Sequence, residues 1–175
     1  MLFRSIGKAQ CFHTLSEEAA SNANAQFAAL ASKVKAGEIK TLVVVDANPV
    51  FDAAGDSDFA SAFAKVPATI TLSVGQSETA AASTWSLNGA HYLESWGDTR
   101  AVDGTISPVQ PMIAPLYDPA GSRAVLSDIE FLALIAGGDM NAKVDGYEIV
   151  RSLWKSAKVV RDFETAWRQI GRAHV

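Results

Sequence analysis

The run from Thr41 to Val45 constrains the fold more than any other stretch of this chain. Its residues are β-branched or aliphatic, and the turn-forming sequence Asp46 to Pro49 follows directly. A short apolar run with such a boundary predicts a strand buried on both faces, as in a parallel sheet. Two further strands are predicted at Thr69 to Val74, where apolar and polar residues alternate, and at Thr84 to Leu87.

Helix signals lie between these strands. The cluster Asp56-Ser57-Asp58 is typical of a helix N-cap, and Pro67 ends the helical pattern that carries Phe59 and Phe63. A shorter, alanine-rich helix is predicted from Glu78 to about Ser83. Crossovers of this length favour parallel strands joined by right-handed connections. The sequence therefore predicts an α/β fold with a parallel, Rossmann-like sheet.

A helix is also predicted before the first strand, within residues 16–36. Ser16 is a candidate N-cap, and Gly37 provides the stop signal. Asn22 and Asn24 are weak helix formers, so we expect the later part of this span to be the more firmly helical.

The C-terminal part predicts a helical tail. One helix is capped by Ser127 and stopped by Gly137-Gly138, and the next begins at Asp145 or Gly146. A last helix is predicted from about Arg161.

Residues 85–117 are predicted to form a long ordered loop over this scaffold. The segment is rich in Gly, Pro, Asp and Ser, which argues against one helix or one strand. It also carries four large aromatic residues, Trp85, Tyr92, Trp96 and Tyr117. Because disordered segments are poor in such residues, we expect the aromatic side chains to anchor the loop and join the core.

Composition excludes several classes of protein. The chain has 175 residues, 49% of them hydrophobic, which suits one globular domain. Its net charge is −4 and its basic residues are scattered, which argues against nucleic-acid binding. No apolar run approaches the roughly 20 residues of a membrane span. Cys11 is the single cysteine, which excludes an internal disulfide and a self-contained iron–sulfur cluster.

The two ends, MLFRS at residues 1–5 and IGRAHV at residues 170–175, resemble translated adapter DNA. On this interpretation they are not native, and residues 6–169 form one partial domain of a longer protein. The alternative is a natural short protein whose ends coincide with such a sequence.

Three turns are expected to share one edge of the sheet, because parallel strands end on the same side. These turns are Asp46 to Val50, Gly75 to Glu78, and the segment from Asn88 onward. In open α/β sheets, ligands bind beyond the carboxyl ends of the strands. The sequence thus predicts the position of a site but not its ligand.

Titratable side chains in the long loop are candidates for chemistry. His91 could act as a general base or a ligand, although a hydrogen-bonded structural role is more usual for a lone histidine. Glu94, Asp98, Arg100 and Asp103 could anchor a polar ligand. For Asp98 and Asp103, capping of turns is the more frequent role.

The order of short motifs resembles the molybdopterin oxidoreductase family. The motifs are Asp46-Ala47-Asn48-Pro49, Glu78-Thr79-Ala80, Glu94 with Gly97, Asp103-Gly104-Thr105 and Val109-Gln110-Pro111. The stretch HYLESWGDTRAVDGTISPVQPMIAPLY is most similar to one branch of that family. This branch is the Tat-variant-translocated molybdopterin-oxidoreductase-like and iron–sulfur subunit of alternative complex III, a bacterial quinol-oxidising respiratory complex. The resemblance covers residues from about 40 to about 137.

Two departures from the family pattern concern loops that line the pterin site in cofactor-bearing members. The family's A-D-V-V-L-P is replaced by Ser83 to Asn88, and the arginine expected near Gln110 is missing. The resemblance therefore implies a cofactor-free structural domain whose parent carries iron–sulfur clusters elsewhere. The implied partners are iron–sulfur, haem and membrane subunits at the periplasmic face of the bacterial inner membrane.

Two alternatives remain open. In an active molybdopterin oxidoreductase, the resemblance implies that Asn48, Glu78, Thr79 and Gln110 contact a bis-molybdopterin guanine dinucleotide cofactor. The other alternative is a small independent nucleotide-binding module. The sequence predicts no catalytic residue and no metal ligand in this chain.

Overall fold

A computed structural model describes residues 22–101, 105–118, 124–138, 143–157 and 162–170. Its helices are α1 (Ala23–Lys35), α2 (Pro49–Asp52), α3 (Phe59–Phe63), α4 (Glu78–Ala82), α5 (Asp128–Gly137), α6 (Gly146–Ser156) and α7 (Phe163–Ile170). Its strands are β1 (Thr41–Val45), β2 (Ala68–Ser73), β3 (Trp85–Gly89), β4 (Gly97–Arg100), β5 (Ile106–Val109) and β6 (Val125–Leu126). Cys11, Ser16, Asp103 and Arg161 lie outside the described residues.

Four strands form a parallel sheet in the order β1-β2-β3-β6. Val43 of β1 lies beside Ile70 of β2, which in turn lies beside Trp85 of β3. The predicted α/β fold with parallel strands is therefore confirmed. The first three strands begin within one residue of their predicted positions, whereas the two-residue strand β6 was not predicted.

Helices α1 and α3 pack together on one face of β1. The buried cluster between them consists of Ala31, Val34, Val44, Phe59, Ala62, Phe63 and Val66. The prediction that β1 is buried on both faces is wrong, because Val43 is 37% exposed although its neighbour Val44 is buried. The physical reason is that α1 and α3 cover the face that carries Leu42 and Val44. Val43 lies on the opposite face in register with Ile70 and Trp85, and even Trp85 of the inner strand β3 is 64% exposed there.

Local capping decides where the first helices begin and end. Asn22 caps α1, because its side chain accepts a hydrogen bond from the Ala25 N–H at 3.1 Å. The sequence interpretation, in which Asn22 weakens the helix, was wrong about this role. Gly37 adopts a left-handed conformation with φ of 71° and ends the helix as predicted. In contrast, Asp58 precedes α3 without a side-chain capping bond.

The segment predicted as one long loop contains regular structure. It includes β3 and a hairpin in which β4 pairs antiparallel with β5. Pro108 lies inside β5, opposite Asp98. A proline argues against a central strand in the sequence, but a two-stranded hairpin has only edge strands, where proline is tolerated.

The three C-terminal helices are confirmed. Ser127 and Glu130 form a capping box at the start of α5, and Gly138 ends that helix with φ of 67°. Asp145 caps α6 through a hydrogen bond from the Tyr147 N–H. A second buried cluster, formed by Val150, Trp154 and Trp167, joins α6 to α7. None of the described helices has the length and apolar character needed to cross a bilayer.

Candidate functional site

A crevice of about 520 Å³ lies at the carboxyl ends of the parallel strands. Each strand contributes the residue at or just beyond its end: Asp46 after β1, Ser73 of β2, Gly89 of β3 and Ser127 after β6. Trp96 and the start of β4 form a further wall. The prediction that the turns gather at one edge is thus confirmed, and the crevice occupies the usual ligand position of an open α/β sheet.

The crevice is acidic. Asp46, Asp98 and Asp128 line it, and none of its described lining residues is a lysine or an arginine. Partial burial raises the pKa of the Asp128 carboxyl group, and the negative charge of Asp46 raises it further. The site is therefore electrostatically unfavourable for a ligand that carries negative charge.

Asn48, Glu78 and Thr79 form a hydrogen-bonded network beside the crevice. The Asn48 side-chain carbonyl accepts bonds from the Thr79 hydroxyl at 2.8 Å and the Thr79 N–H at 3.1 Å. Its amide nitrogen donates to the Glu78 carboxylate at 2.7 Å, and the Thr79 hydroxyl oxygen accepts from the Val50 N–H at 3.0 Å. The network therefore fastens the turn after β1 to the first turn of α4.

Gln110 has a different environment from these three residues. It follows β5 and lines a separate depression together with Trp96, Tyr147 and Trp167. The structure thus brings together three of the four residues that the resemblance associates with a cofactor. The fourth lies beside the aromatic side chains that connect the hairpin to the C-terminal helices.

Replacing Asn48 by alanine is expected to lower the free energy of unfolding by about 1–3 kcal/mol. The fully buried Thr79 would lose the acceptor of both its hydroxyl and its N–H, and an unsatisfied buried group costs about this much. Chemical denaturation followed by circular dichroism measures the change. The matched control is Asn88→Ala at an exposed position on the same edge, for which we expect less than about 0.5 kcal/mol.

The same variant provides a second readout. The Asn48 side chain is the main cause that lowers the pKa of Glu78, with a smaller contribution from a backbone hydrogen bond. Asn48→Ala should therefore raise the Glu78 pKa toward its ordinary value, as measured by an NMR titration. An unchanged Glu78 pKa together with unchanged stability would contradict the network.

Replacing Asp46 by asparagine is expected to lower the pKa of Asp128 without returning it to its ordinary value. Burial, the larger cause, would remain after the charge is removed. A carboxyl group whose pKa is higher in the folded state than in the unfolded state stabilises the fold at pH values below the unfolded-state pKa. This contribution to stability is lost as the pH rises through the folded-state pKa. This loss should be smaller in Asp46→Asn. NMR titration of the Asp128 carboxyl carbon tests the interaction, and an equal shift in Asp98→Asn would contradict it.

His91 and Glu94 mainly hold the loop in place. The Nδ1 atom of His91 accepts a hydrogen bond from the Leu93 N–H at 3.3 Å. The Glu94 carboxylate accepts from the His91 N–H at 3.1 Å and from the Leu116 N–H at 3.2 Å, so it ties two loops together. These contacts favour the structural role for both residues, although His91 also lines the crevice.

Asp98 has a structural partner that the sequence did not indicate. Its carboxylate accepts a hydrogen bond from the Trp154 indole N–H at 3.1 Å, which links β4 to α6. The prediction of a structural role fits, but the donor is a side chain 56 residues away in sequence and not a nearby backbone amide. Arg100 lies at the exposed end of β4.

The aromatic residues of the long segment differ from the prediction. Trp96 alone among the four is half-buried, and its ring packs against Tyr147 at 5.0 Å between centroids. Trp85, Tyr92 and Tyr117 are instead exposed. Tyr117 lines a second groove of about 860 Å³ next to the crevice. This groove was missed because its walls come from strand ends and from loops that are far apart in sequence.

Asp128 was also missed as a site residue. In the sequence it is an ordinary acidic residue in the first turn of a helix, and only the unpredicted strand β6 brings it to the crevice. Among the residues that the structure describes, no group of three or more His, Cys, Asp or Glu side chains could hold a metal ion. No protein-family model matches this sequence, and no curated protein matches it either.

Proposed function

We propose that this chain is a structural domain of a molybdopterin-oxidoreductase-like subunit in a bacterial respiratory complex of the alternative complex III type. In this proposal the domain binds no pterin cofactor. Electron transfer takes place in iron–sulfur and haem partners at the periplasmic face of the inner membrane. The proposal is supported by the ordered motifs between about residues 40 and 137 and by the parallel sheet that carries them.

The acidic crevice is the observation that carries the proposal. A pterin dinucleotide has a negatively charged pyrophosphate, which proteins bind through backbone N–H groups and cationic side chains. Here the ligand position of the sheet is lined by Asp46, Asp98 and Asp128, with no lysine or arginine among the described lining residues. The residues present therefore do not fit the dinucleotide.

The hydrogen-bonded network gives independent support. The side-chain oxygen of Asn48 already accepts two hydrogen bonds from Thr79, and its amide nitrogen donates to Glu78. A cofactor bound at these groups would have to replace contacts that hold α4 against the turn after β1. The simplest role of the network is structural. Such a role is expected of a domain that keeps its hydrophobic core but no longer has a cofactor site.

Exposed apolar side chains support a docking role. Tyr92, Met112, Leu116 and Tyr117 are each more than 60% exposed and lie in two loops. These loops are fastened to each other, because the Leu93 carbonyl accepts hydrogen bonds from the N–H groups of residues 112 and 113. A fixed apolar patch of this kind is typical of a surface that packs against another protein.

Cofactor analysis tests the proposal against its alternative. The full-length subunit that contains this chain would be produced in cells that load an active molybdopterin enzyme in parallel as a positive control. We expect no molybdenum and no pterin fluorescence after acid oxidation of the purified subunit. Stoichiometric pterin would favour the alternative, an active oxidoreductase that binds bis-molybdopterin guanine dinucleotide near Asn48, Glu78 and Thr79. In that case the position of Gln110, which lines a separate depression, would need its own explanation.

Assembly with partner subunits tests the docking role separately. Tyr117→Ser removes an apolar ring that is 79% exposed, so it should leave the thermal stability unchanged and lower the yield of complex with the iron–sulfur and haem subunits. Leu132→Ser, at an exposed position on α5, is the matched control. Equal yields for both variants and the parent chain would contradict the docking role of the loop.

A further inference from the structure

The amino ends of β1 and β2 form the edge of the sheet opposite the crevice, and lysines gather there. Lys40 directly precedes β1, and its carbonyl accepts a hydrogen bond from the N–H of Ala68 at the start of β2. A helix that leads into a parallel strand ends at the edge where that strand begins, so α1 and α3 both end here. The last turn of α1 contains Lys33 and Lys35, and Lys65 follows α3. We call Lys33, Lys35, Lys40 and Lys65 the lysine edge.

The side chains of the lysine edge are free to interact with a partner. All four are exposed. Among the described residues, none of the four forms an ion pair, because the ion pairs there join Arg151 and Lys155 to Glu164. Glu38 lies between α1 and β1, so four lysines and one glutamate leave a local net charge of +3. The negative end of the α1 dipole offsets only about half a charge of this.

The negative charges of the sheet lie at its opposite edge. Asp46 and Asp128 line the crevice at the carboxyl ends of the strands, and Glu78 lies beside it in the first turn of α4. Strands of five and six residues separate the two edges, which at about 3.3 Å per residue is roughly 17–20 Å. The Debye length at physiological salt is only about 8 Å. An anionic surface in contact with the lysine edge is therefore attracted by the lysines, while its repulsion by the distant carboxylates is screened.

The kind of positive charge indicates the kind of partner. All four residues are lysines, whose ammonium groups are hydrated point charges on flexible stems, and none is an arginine with a planar, bidentate donor pair. None of the four is among the described residues that line the crevice, the second groove or the depression beside Gln110. The lysine edge thus lacks an enclosed site for one discrete anion. It matches an extended surface on which negative charges are spread and mobile, as they are in a layer of anionic lipid headgroups.

We propose that the lysine edge binds the surface of an anionic lipid bilayer. The contact is electrostatic and peripheral, and it orients the chain with the amino ends of its strands toward the lipid and the acidic crevice toward the solvent. The sequence did not indicate this surface, because α1, β1 and α3 separate the four lysines along the chain. The proposal does not depend on the function proposed above.

Co-sedimentation of the full chain with lipid vesicles tests the proposal. One set of vesicles contains equal amounts of phosphatidylglycerol and phosphatidylcholine, and the other contains phosphatidylcholine alone. A lysine near an anionic surface strengthens binding about fivefold, so a net charge of +3 predicts a preference of about a hundredfold for the anionic vesicles. This preference should shrink at high salt, because the charges are exposed. Equal binding to both kinds of vesicle, or no binding to either, would overturn the proposal.

The double variant Lys40→Gln with Lys65→Gln tests the position of the surface. It removes two positive charges from the lysine edge and should weaken binding to the anionic vesicles about twentyfold. The matched control, Arg100→Gln with Lys143→Gln, removes two positive charges at exposed positions that end β4 and precede α6. Its binding should stay within about twofold of the parent chain. Circular dichroism verifies that both variants are folded, and equal losses in the two variants would overturn the assignment to the lysine edge.

Soluble polyanions distinguish a lipid surface from other negatively charged partners. Polyglutamate represents an acidic protein segment, and a short DNA duplex represents a nucleic acid. Each is added to the chain bound to anionic vesicles, at the same concentration of negative charge as the accessible lipid. We expect most of the chain to stay on the vesicles. Release of most of the chain by polyglutamate would indicate an acidic protein partner and release by DNA a nucleic acid, and either result would overturn the assignment to lipid.

Discussion

Trp154→Ala is expected to lower the free energy of unfolding by about 3–5 kcal/mol, the usual cost of removing a buried tryptophan. The Trp154 ring is 5% exposed and packs against Trp167 with 5.9 Å between ring centroids. Its indole N–H also donates the hydrogen bond to Asp98. The substitution would therefore leave a cavity between α6 and α7 and release the hairpin that forms one wall of the crevice.

Two matched variants separate these contributions. Trp154→Phe keeps most of the ring volume and removes the indole donor, so it should cost about 1 kcal/mol for the hydrogen bond plus a small packing term. Leu153→Ala changes the preceding residue of the same helix, where the side chain is 54% exposed, and should have a much smaller effect. Urea denaturation measures all three, and a Trp154→Ala effect no larger than that of Leu153→Ala would contradict the structure.

The parallel sheet could be predicted because its signals are local. The run from Thr41 to Val45 is bounded by turn residues, and the helices between the strands carry their own start and stop signals. Ser127 was identified as a cap, and Asp145 or Gly146 as the start of the next helix, for the same reason, since a capping side chain bonds to backbone within its own helical turn. Such features can be recognised without knowing which residues distant in sequence lie nearby in the fold.

The hairpin and the exposed face of β1 could not be predicted in this way. The strand β5 contains Pro108 and, within the described residues, has β4 as its one neighbour, so its existence depends on a partner strand and not on its own propensity. The exposure of Val43 likewise depends on whether another element packs on its face of the sheet. An apolar run looks the same in the sequence whether helices cover both faces of its sheet or only one.

The candidate site likewise contains residues that local signals predict and residues that only distant contacts bring to it. The turns after β1 and β2 were assigned to one edge because parallel strands must end together, and the network between Asn48 and Thr79 lies there. Asp128 and Asp98 reach the crevice through β6 and the hairpin, which the sequence did not reveal. The acidic character of the crevice was therefore missed, although it bears most directly on whether an anionic cofactor fits.

Phe63→Ala is expected to cost about 3–5 kcal/mol as well, but in the other core. Phe63 is fully buried with 0% exposure, and its ring packs 6.0 Å from that of Phe59 between α1, α3 and β1. The matched control is Phe51→Ala, where the ring is 69% exposed and the expected cost is below about 0.5 kcal/mol. Urea denaturation again measures the difference, and similar costs for Phe63 and Phe51 would contradict the packing.

Combining Phe63→Ala with Trp154→Ala tests whether the two cores are energetically independent. The cluster around Phe63 and the cluster around Trp154 have no residue in common, and the second is built from α6, α7 and the aromatic side chains beside them. Sites that share no partners usually add within about 0.5 kcal/mol. We therefore expect the double variant to lose the sum of the two single effects. A smaller loss would mean that removing one core already loosens the other.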